Sequence, residues 1–302
     1  MRLEGKIAIV TGGGRGIGRA ECLSLASEGA AVIVNDFGGG PDGSGGEEGP
    51  AAEVADEISA QGGKAVPHYG DVSDPATGEA LVQLALDQFG RLDILVNNAG
   101  ILRDRMLHNM SDAEWNGVIS IHLNGTFFCT RAAAKVFRGQ RSGVVVNTGS
   151  ESGLGSMGQA NYAAAKEGIA GFTRTVARDL GRYGCRANVI RPRAATRLTL
   201  SDQLKEAIDR AKKSGDPAPE LARIENWVPE GVGPFVTWLC TDAAADVNGQ
   251  DFVISSEHLS LMHQPTPATT VFSETPWTVD QLDTVLPQSV TRGLRNEFPA
   301  KK

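Results

Sequence analysis

Six short runs that read as strands alternate with stretches of helical spacing, and no other feature constrains the fold as much. The runs are Ile7–Val10, Ala30–Val34, Lys64–His68, Asp93–Val96, Val144–Asn147 and Ala187–Ile190. Between them lie residues 17–28, Ala51–Gln61, Ala76–Phe89, Ala113–Arg138 (one helix or two) and Asn161–Leu180. Strands that are apolar at consecutive positions are buried on both faces, and a helix between successive strands makes them parallel. The expected fold is therefore α/β, a doubly wound parallel sheet of the Rossmann type. Residues 202–226 are charged and helical in period, Gly231–Leu239 reads as a further helix and Asp251–Ile254 as a last strand. Beyond Ser256 periodicity fades, except around Val279–Leu286. The expected organisation is one domain over residues 1–255 with a C-terminal extension over 256–302. A chain of 302 residues is long enough for one large α/β domain of this kind.

Charge and composition exclude several functions. With 29 Lys+Arg against 36 Asp+Glu the net charge is −7, which argues against a nucleic-acid coat or a polybasic membrane anchor. No run approaches the ~20 apolar residues of a membrane helix. The first residues run straight into a strand and lack the apolar core of a secretory signal. Cys22, Cys129, Cys185 and Cys240 form no CxxC pair and sit among apolar residues, as reduced packing cysteines do. The expected location is cytoplasmic. His108 and His122 have no carboxylate or thiol partner at ligand spacing, so no metal is expected.

The first strand ends in Thr11-Gly12-Gly13-Gly14-Arg15-Gly16-Ile17-Gly18, which opens the first helix. Free N–H groups and the helix dipole at such a terminus suit a pyrophosphate, and glycine lets it approach the backbone. The spacing, Gly12-x3-Gly16-x-Gly18, departs from the commoner G-x-G-x-x-G. A plain tight turn is the bland alternative, but the strand before and the helix after favour nucleotide binding. Asp36 ends the second strand 18 residues after Gly18, near the position from which a carboxylate receives adenosine ribose hydroxyls and repels a 2′-phosphate. Asp71, after the third strand, is a candidate for the adenine edge, with a turn or helix-cap role as its rival.

Tyr162-Ala163-Ala164-Ala165-Lys166 places a phenol and an ammonium on one helix face. A nearby cation lowers a phenol's pKa, which suits proton exchange with an alcohol or carbonyl oxygen. Ser150 follows the fifth strand, at the sheet edge where ligands of open α/β folds bind. Alone, Tyr-x3-Lys is common on helix surfaces. Behind a nucleotide loop and beside Ser150 it becomes specific.

Taken together these residues resemble the short-chain dehydrogenase/reductase family in its classical form. The match rests on Thr11-Gly12-x3-Gly16-Ile17-Gly18, Asp71-Val72, Asn97-Asn98-Ala99-Gly100, Ser150 and Tyr162-x3-Lys166, and it spans residues 5 to about 255. A nearer resemblance, to the (3R)-hydroxyacyl-CoA dehydrogenase domains of type 2 multifunctional enzymes, rests on several further stretches. They are Asn35 to Gly39, Gly62 to Val66, Asn97 to Arg105, His122-Leu123-x-Gly125 and Gly158 to Tyr162. The resemblance implies NAD as cofactor. Gly12, Gly16, Ile17 and Gly18 would hold its pyrophosphate and Asp36 its ribose. Asp71 and Val72 would flank adenine, while Asn98, Ala99 and Gly100 would line the second ribose. Pro192 and Thr196 would abut the carboxamide. Tyr162 would be the acid/base, Ser150 would position the carbonyl, and Lys166 would bind ribose while tuning Tyr162.

The implied reaction interconverts a secondary alcohol and a ketone, with a 3-hydroxyacyl-CoA as substrate. A steroid or other bulky alcohol is the alternative, and a catalytically silent nucleotide sensor is the alternative from another class. A homotetramer or dimer is implied, and residues 198–226 fall where the family carries its substrate lid.

Three departures stand out. The family's fourth catalytic position, an Asn in many relatives, falls at His122, with Asn124 close by. The segment from Ser150 to Tyr162 is one residue short. Arg193 stands where a Gly follows the strand-end proline. Arg103, Arg105 and Arg193 are candidates for an anionic group such as a CoA phosphate, although a solvated surface charge is the commoner use of an arginine.

Overall fold

The computed structural model describes residues 1–196 and 227–298. Eight strands form one sheet in the order β3-β2-β1-β4-β5-β6-β7-β8. They are β1 (Ile7–Thr11), β2 (Ala31–Asp36), β3 (Lys64–Tyr69), β4 (Ile94–Asn97), β5 (Gly143–Thr148), β6 (Cys185–Pro192), β7 (Asp251–Ile254) and β8 (Leu259–Leu261). All pairings are parallel except β7 with β8. The helices that position the site are α1 (Gly16–Ser27), α2 (Gly49–Ala60), α3 (Pro75–Phe89), α4 (Asp112–Ile119), α5 (Gly125–Gln140) and α6 (Ala160–Gly181). This is the doubly wound sheet that the alternation predicts. The expected lid and the helix over 202–226 lie outside the described residues.

Alternate residues of β1 serve the two faces. Ala8 and Val10 join Leu25, Val54 and Val236 on one side, while Ile7 and Ile9 join Leu81, Phe137 and Val145 on the other. A buried polar chain crosses the second layer. Asn97 Nδ2 donates to Thr130 Oγ1 (3.0 Å) and Asn147 Oδ1 (2.8 Å), and Asn147 Nδ2 donates to Thr173 Oγ1 (2.9 Å). Those bonds tie β4 and β5 to α5 and α6 at the edge where the site forms.

The stretch predicted as one or two helices divides into α4 and α5, joined by a π-helical turn over Ser120–Asn124. Such wider turns change which residues face inward and are frequent at functional sites. Strand β8 belongs to the sheet, although the sequence reading placed its residues in the extension. Its exposed outer residues, Leu259 and Leu261, carry no burial signal. The chain divides into two compact units, the second beginning at His263. The second unit contains a short helix, Val279–Val285, closed by a reciprocal cap between Thr278 and Gln281.

Candidate active site

Strand order reverses between β1 and β4, and open α/β sheets bind ligands at such a point, beyond the carboxyl ends of the strands. A cleft of about 380 Å³ lies there. Its lining includes Gly12, Gly16, Ile17, Asp36, Asp71, Val72, Asn98, Ala99, Gly100 and Thr196, all named from the sequence, together with Arg15, Phe37 and Ile121. Gly18 and Pro192 are not part of the lining. Pro192 ends β6, beside Ile254 of β7.

The glycine turn is packed backbone to backbone. Gly12 (φ 63°) and Gly16 (φ 53°) adopt left-handed conformations that disfavour any side chain. A Cβ on Gly18 would lie 2.1 Å from the Gly12 carbonyl oxygen. Gly18 therefore shapes the turn from behind rather than touching a ligand. Asn98 seals the same junction, with Nδ2 donating to the carbonyls of Thr11 (3.1 Å) and Gly12 (3.0 Å). Thr11 Oγ1 accepts from the N–H groups of Asn98 (3.1 Å) and Ala99 (3.2 Å).

Asp36 stands at the cleft wall. Its carboxylate accepts from the N–H groups of Gly14 (2.9 Å) and Gly38 (2.6 Å), which fixes its position and leaves lone pairs toward the cleft. Asp71 also lines the cleft while accepting from the Ser73 N–H (2.8 Å), a turn contact, and the cap of α3 is Asp74 rather than Asp71.

Ser150, Tyr162, Lys166 and His122 come together at the ends of β5 and α6 and at the π-helical turn. The Ser150 hydroxyl lies close enough to the Tyr162 phenol to favour its ionised form, and it accepts from the Ser152 N–H (3.1 Å). Lys166 Nζ lies 5.5 Å from the centre of the Tyr162 ring and donates to the Thr148 carbonyl (2.6 Å). Burial pushes the Tyr162 phenol up to about 12, against the lowering influence of Ser150. Burial brings Lys166 down to about 7, with the charge of Glu21 working the other way. The sequence reading expected Lys166 to depress Tyr162. Here desolvation dominates both groups and outweighs that influence.

His122 is the member of the ambiguous pair that reaches the site. Its ring meets that of Tyr162 edge-on at 5.1 Å, whereas Asn124 is exposed. Nε2 engages the backbone of Ile101, lying 3.0 Å from its nitrogen and 2.8 Å from its oxygen. Nδ1 is buried without a partner. Burial, helped by the Lys166 charge, lowers this imidazole to about 3, so it is neutral at working pH. Gly100 makes the fit possible, since a Cβ there would come within 2.3 Å of the ring.

The three candidate anion-binding arginines all have protein partners. Arg103 donates to the carbonyls of Asp42 and Ala113, Arg105 pairs with Glu114, and Arg193 grips both oxygens of Glu151. Two charged residues escaped the sequence reading. Glu21 is wholly buried on α1 with both oxygens unpartnered. Arg191 is buried at the end of β6. A signal existed for each. Glu21 stands four residues after Ile17 and four before Leu25, on the helix's inward stripe, and Arg191 continues an apolar strand.

A glycine-walled cleft, with a Ser-Tyr-Lys cluster reached through His122 where its ring packs on Gly100, defines an oxidoreductase. The family model for short chain dehydrogenase matches residues 6–207, and the chain belongs to that family, whose reactions act on CH–OH groups. It is 46% identical over 276 residues to hydroxyacyl-CoA dehydrogenase ChsB1 of Mycobacterium tuberculosis, covering 87% of this chain and 81% of that one. It is 42% identical over 253 residues to the mouse peroxisomal multifunctional enzyme type 2, covering 82% of this chain but only 31% of that longer protein. Among solved structures, a short chain dehydrogenase from Mycobacterium avium superposes with a TM-score of 0.81 at 38% identity, covering 96% of both chains.

Proposed function

We propose that the enzyme interconverts a 3-hydroxyacyl-CoA and its 3-oxoacyl-CoA with NAD as cofactor. The observation that carries the reaction type is the clustering of Ser150 and Lys166 around Tyr162, whose ring meets His122 behind the Gly100 wall of the cleft. The substrate class draws support from the likeness to ChsB1 and to the multifunctional enzymes.

The residues present fit a dinucleotide. Gly12 and Gly16 form a cradle whose backbone conformations exclude side chains, at the N-terminus of α1. Asp36 would receive the adenosine ribose, and Asp71 and Val72 would flank the base. Asn98 to Gly100 and Thr196 would line the nicotinamide half. Bound there, a nicotinamide would supply hydride-transfer chemistry at the carbinol carbon. Tyr162 takes the hydroxyl proton as the alcohol becomes a ketone and gives it back in reverse. Ser150 holds the substrate oxygen beside the phenol. Lys166 supplies positive charge when protonated and binds the ribose. His122, neutral and turned onto Ile101, shapes the wall behind Tyr162.

We further propose a homo-oligomer in a reducing, cytoplasmic setting. The four cysteines are free and buried. Phe127, exposed on α5, meets Phe172 of α6 edge-on and lies under Arg131, an apolar and cationic patch suited to a second copy.

An NAD⁺-coupled assay across acyl-CoA, steroid and small-alcohol substrates tests the reading. Turnover is expected on 3-hydroxyacyl-CoAs, with little on short free alcohols. The reverse pattern overturns the thioester assignment. Asp36→Ser is expected to weaken NAD binding and to narrow the preference over NADP, because the carboxylate that repels a 2′-phosphate is gone. A wild-type enzyme that prefers NADPH would make Asp36 a turn residue only.

A further inference from the structure

Arg191 is the largest side chain buried in the described core, and its guanidinium joins four parts of the fold. Nε donates to both oxygens of Asp251 on β7 (2.9 and 3.0 Å). Nη2 donates to Asp251 (2.7 Å) and to Glu167 on α6 (2.9 Å). Nη1 donates to the backbone carbonyl of Ser150 (2.7 Å). That carbonyl also accepts from the Gly153 N–H (3.1 Å), the bond that closes the turn after Ser150. Two residues further along, Arg193 holds Glu151, the neighbour of Ser150. Glu167 is the residue after Lys166 and lies five residues beyond Tyr162 on the same helix.

Thus a single rigid fork sets the distance between the segment that carries Ser150 and the helix that carries Tyr162 and Lys166. A buried ion pair is a poor way to gain stability, because desolvation of both ions offsets their attraction, and an apolar pair often fills the same space as well or better. Its geometric use is stronger. An Arg fork offers donors in fixed directions, and this one spends them on two carboxylates and one main-chain oxygen. We propose that Arg191 is a positioning residue for the oxidoreduction, holding the Ser150 main chain so that its hydroxyl stays beside the Tyr162 phenol. The inference rests on the roles given above to Ser150 and Tyr162.

The test replaces the buried pair by an apolar one, Arg191→Met with Asp251→Leu, which leaves Glu167 half exposed to water and no unpaired buried charge. The folded variant is expected to keep its NADH affinity and its KM, while kcat falls about 10–100-fold, because small misplacements of reacting groups cost that much. Placed on a Ser150→Ala background, the same pair is expected to cause no further loss, since both act through one hydroxyl. Arg191→Lys keeps the charge but loses the fork. It is expected to fold and to lower kcat in the same way, which covers the case where the apolar pair fails to fold. A merely structural role would lower the melting temperature with kcat per folded site unchanged, and that result, in either variant, overturns the proposal. If Ser150→Ala itself turns over like wild type, the reading of the active site has failed instead.

Discussion

Tyr162→Phe is expected to lower kcat about 10²–10⁴-fold, the usual contribution of a positioned general acid or base, while NADH affinity stays unchanged. The separation follows from the geometry. Phe keeps the ring, and so keeps the edge-on contact with His122. Lys166 remains anchored on the Thr148 carbonyl, and the cleft wall is untouched. Only the proton carrier is lost. Steady-state turnover together with NADH fluorescence titration measures both quantities. Near-wild-type turnover would remove Tyr162 from the chemistry.

A second large effect concerns stability. Glu21 is buried with neither oxygen hydrogen-bonded, and burial pushes its carboxyl up to about 8, with the charge of Lys166 opposing the rise. The folded chain therefore keeps this proton up to about pH 8, while the unfolded chain releases it above its ordinary value of 4.5. Between those limits the unfolded state binds fewer protons, so stability falls as pH rises. Glu21→Gln keeps the shape and carries no charge to expose. It is expected to match wild type near pH 4.5 and to exceed it by about 4 kcal/mol at pH 8, at 1.36 kcal/mol per pH unit of separation. Urea unfolding of both proteins from pH 5 to 8.5 at one protein concentration reads the difference. A gap that does not widen with pH would show that the Glu21 carboxyl is solvated or paired in the folded enzyme.

Local patterns carried far into this fold. The central strands were legible because residues buried on both faces leave no polar alternation, while β3, half-exposed at the sheet edge, was legible from its place between two helical stretches. The glycine turn was legible because a strand ending in Thr11-Gly12 and a helix beginning at Gly16 leave few other conformations. Tyr162 and Lys166 were legible because four residues along a helix is one turn. Strand β8 was not, since three residues at a sheet edge with exposed leucines have no period to read.

What the sequence determined by itself is the set of relations that close within one element or one connection: the strand–glycine–helix turn, the carboxylate at the end of β2, and the phenol and ammonium on α6. Tertiary structure alone decided between His122 and Asn124, because the choice depends on how a π-helical turn rotates against Gly100, 22 residues earlier. It also decided that Arg193 pairs with Glu151, across 42 residues, and that Arg191 meets Asp251 across 60. A charge shows its meaning through its partner. When the partner comes from another strand, only the packing of the sheet brings the two together.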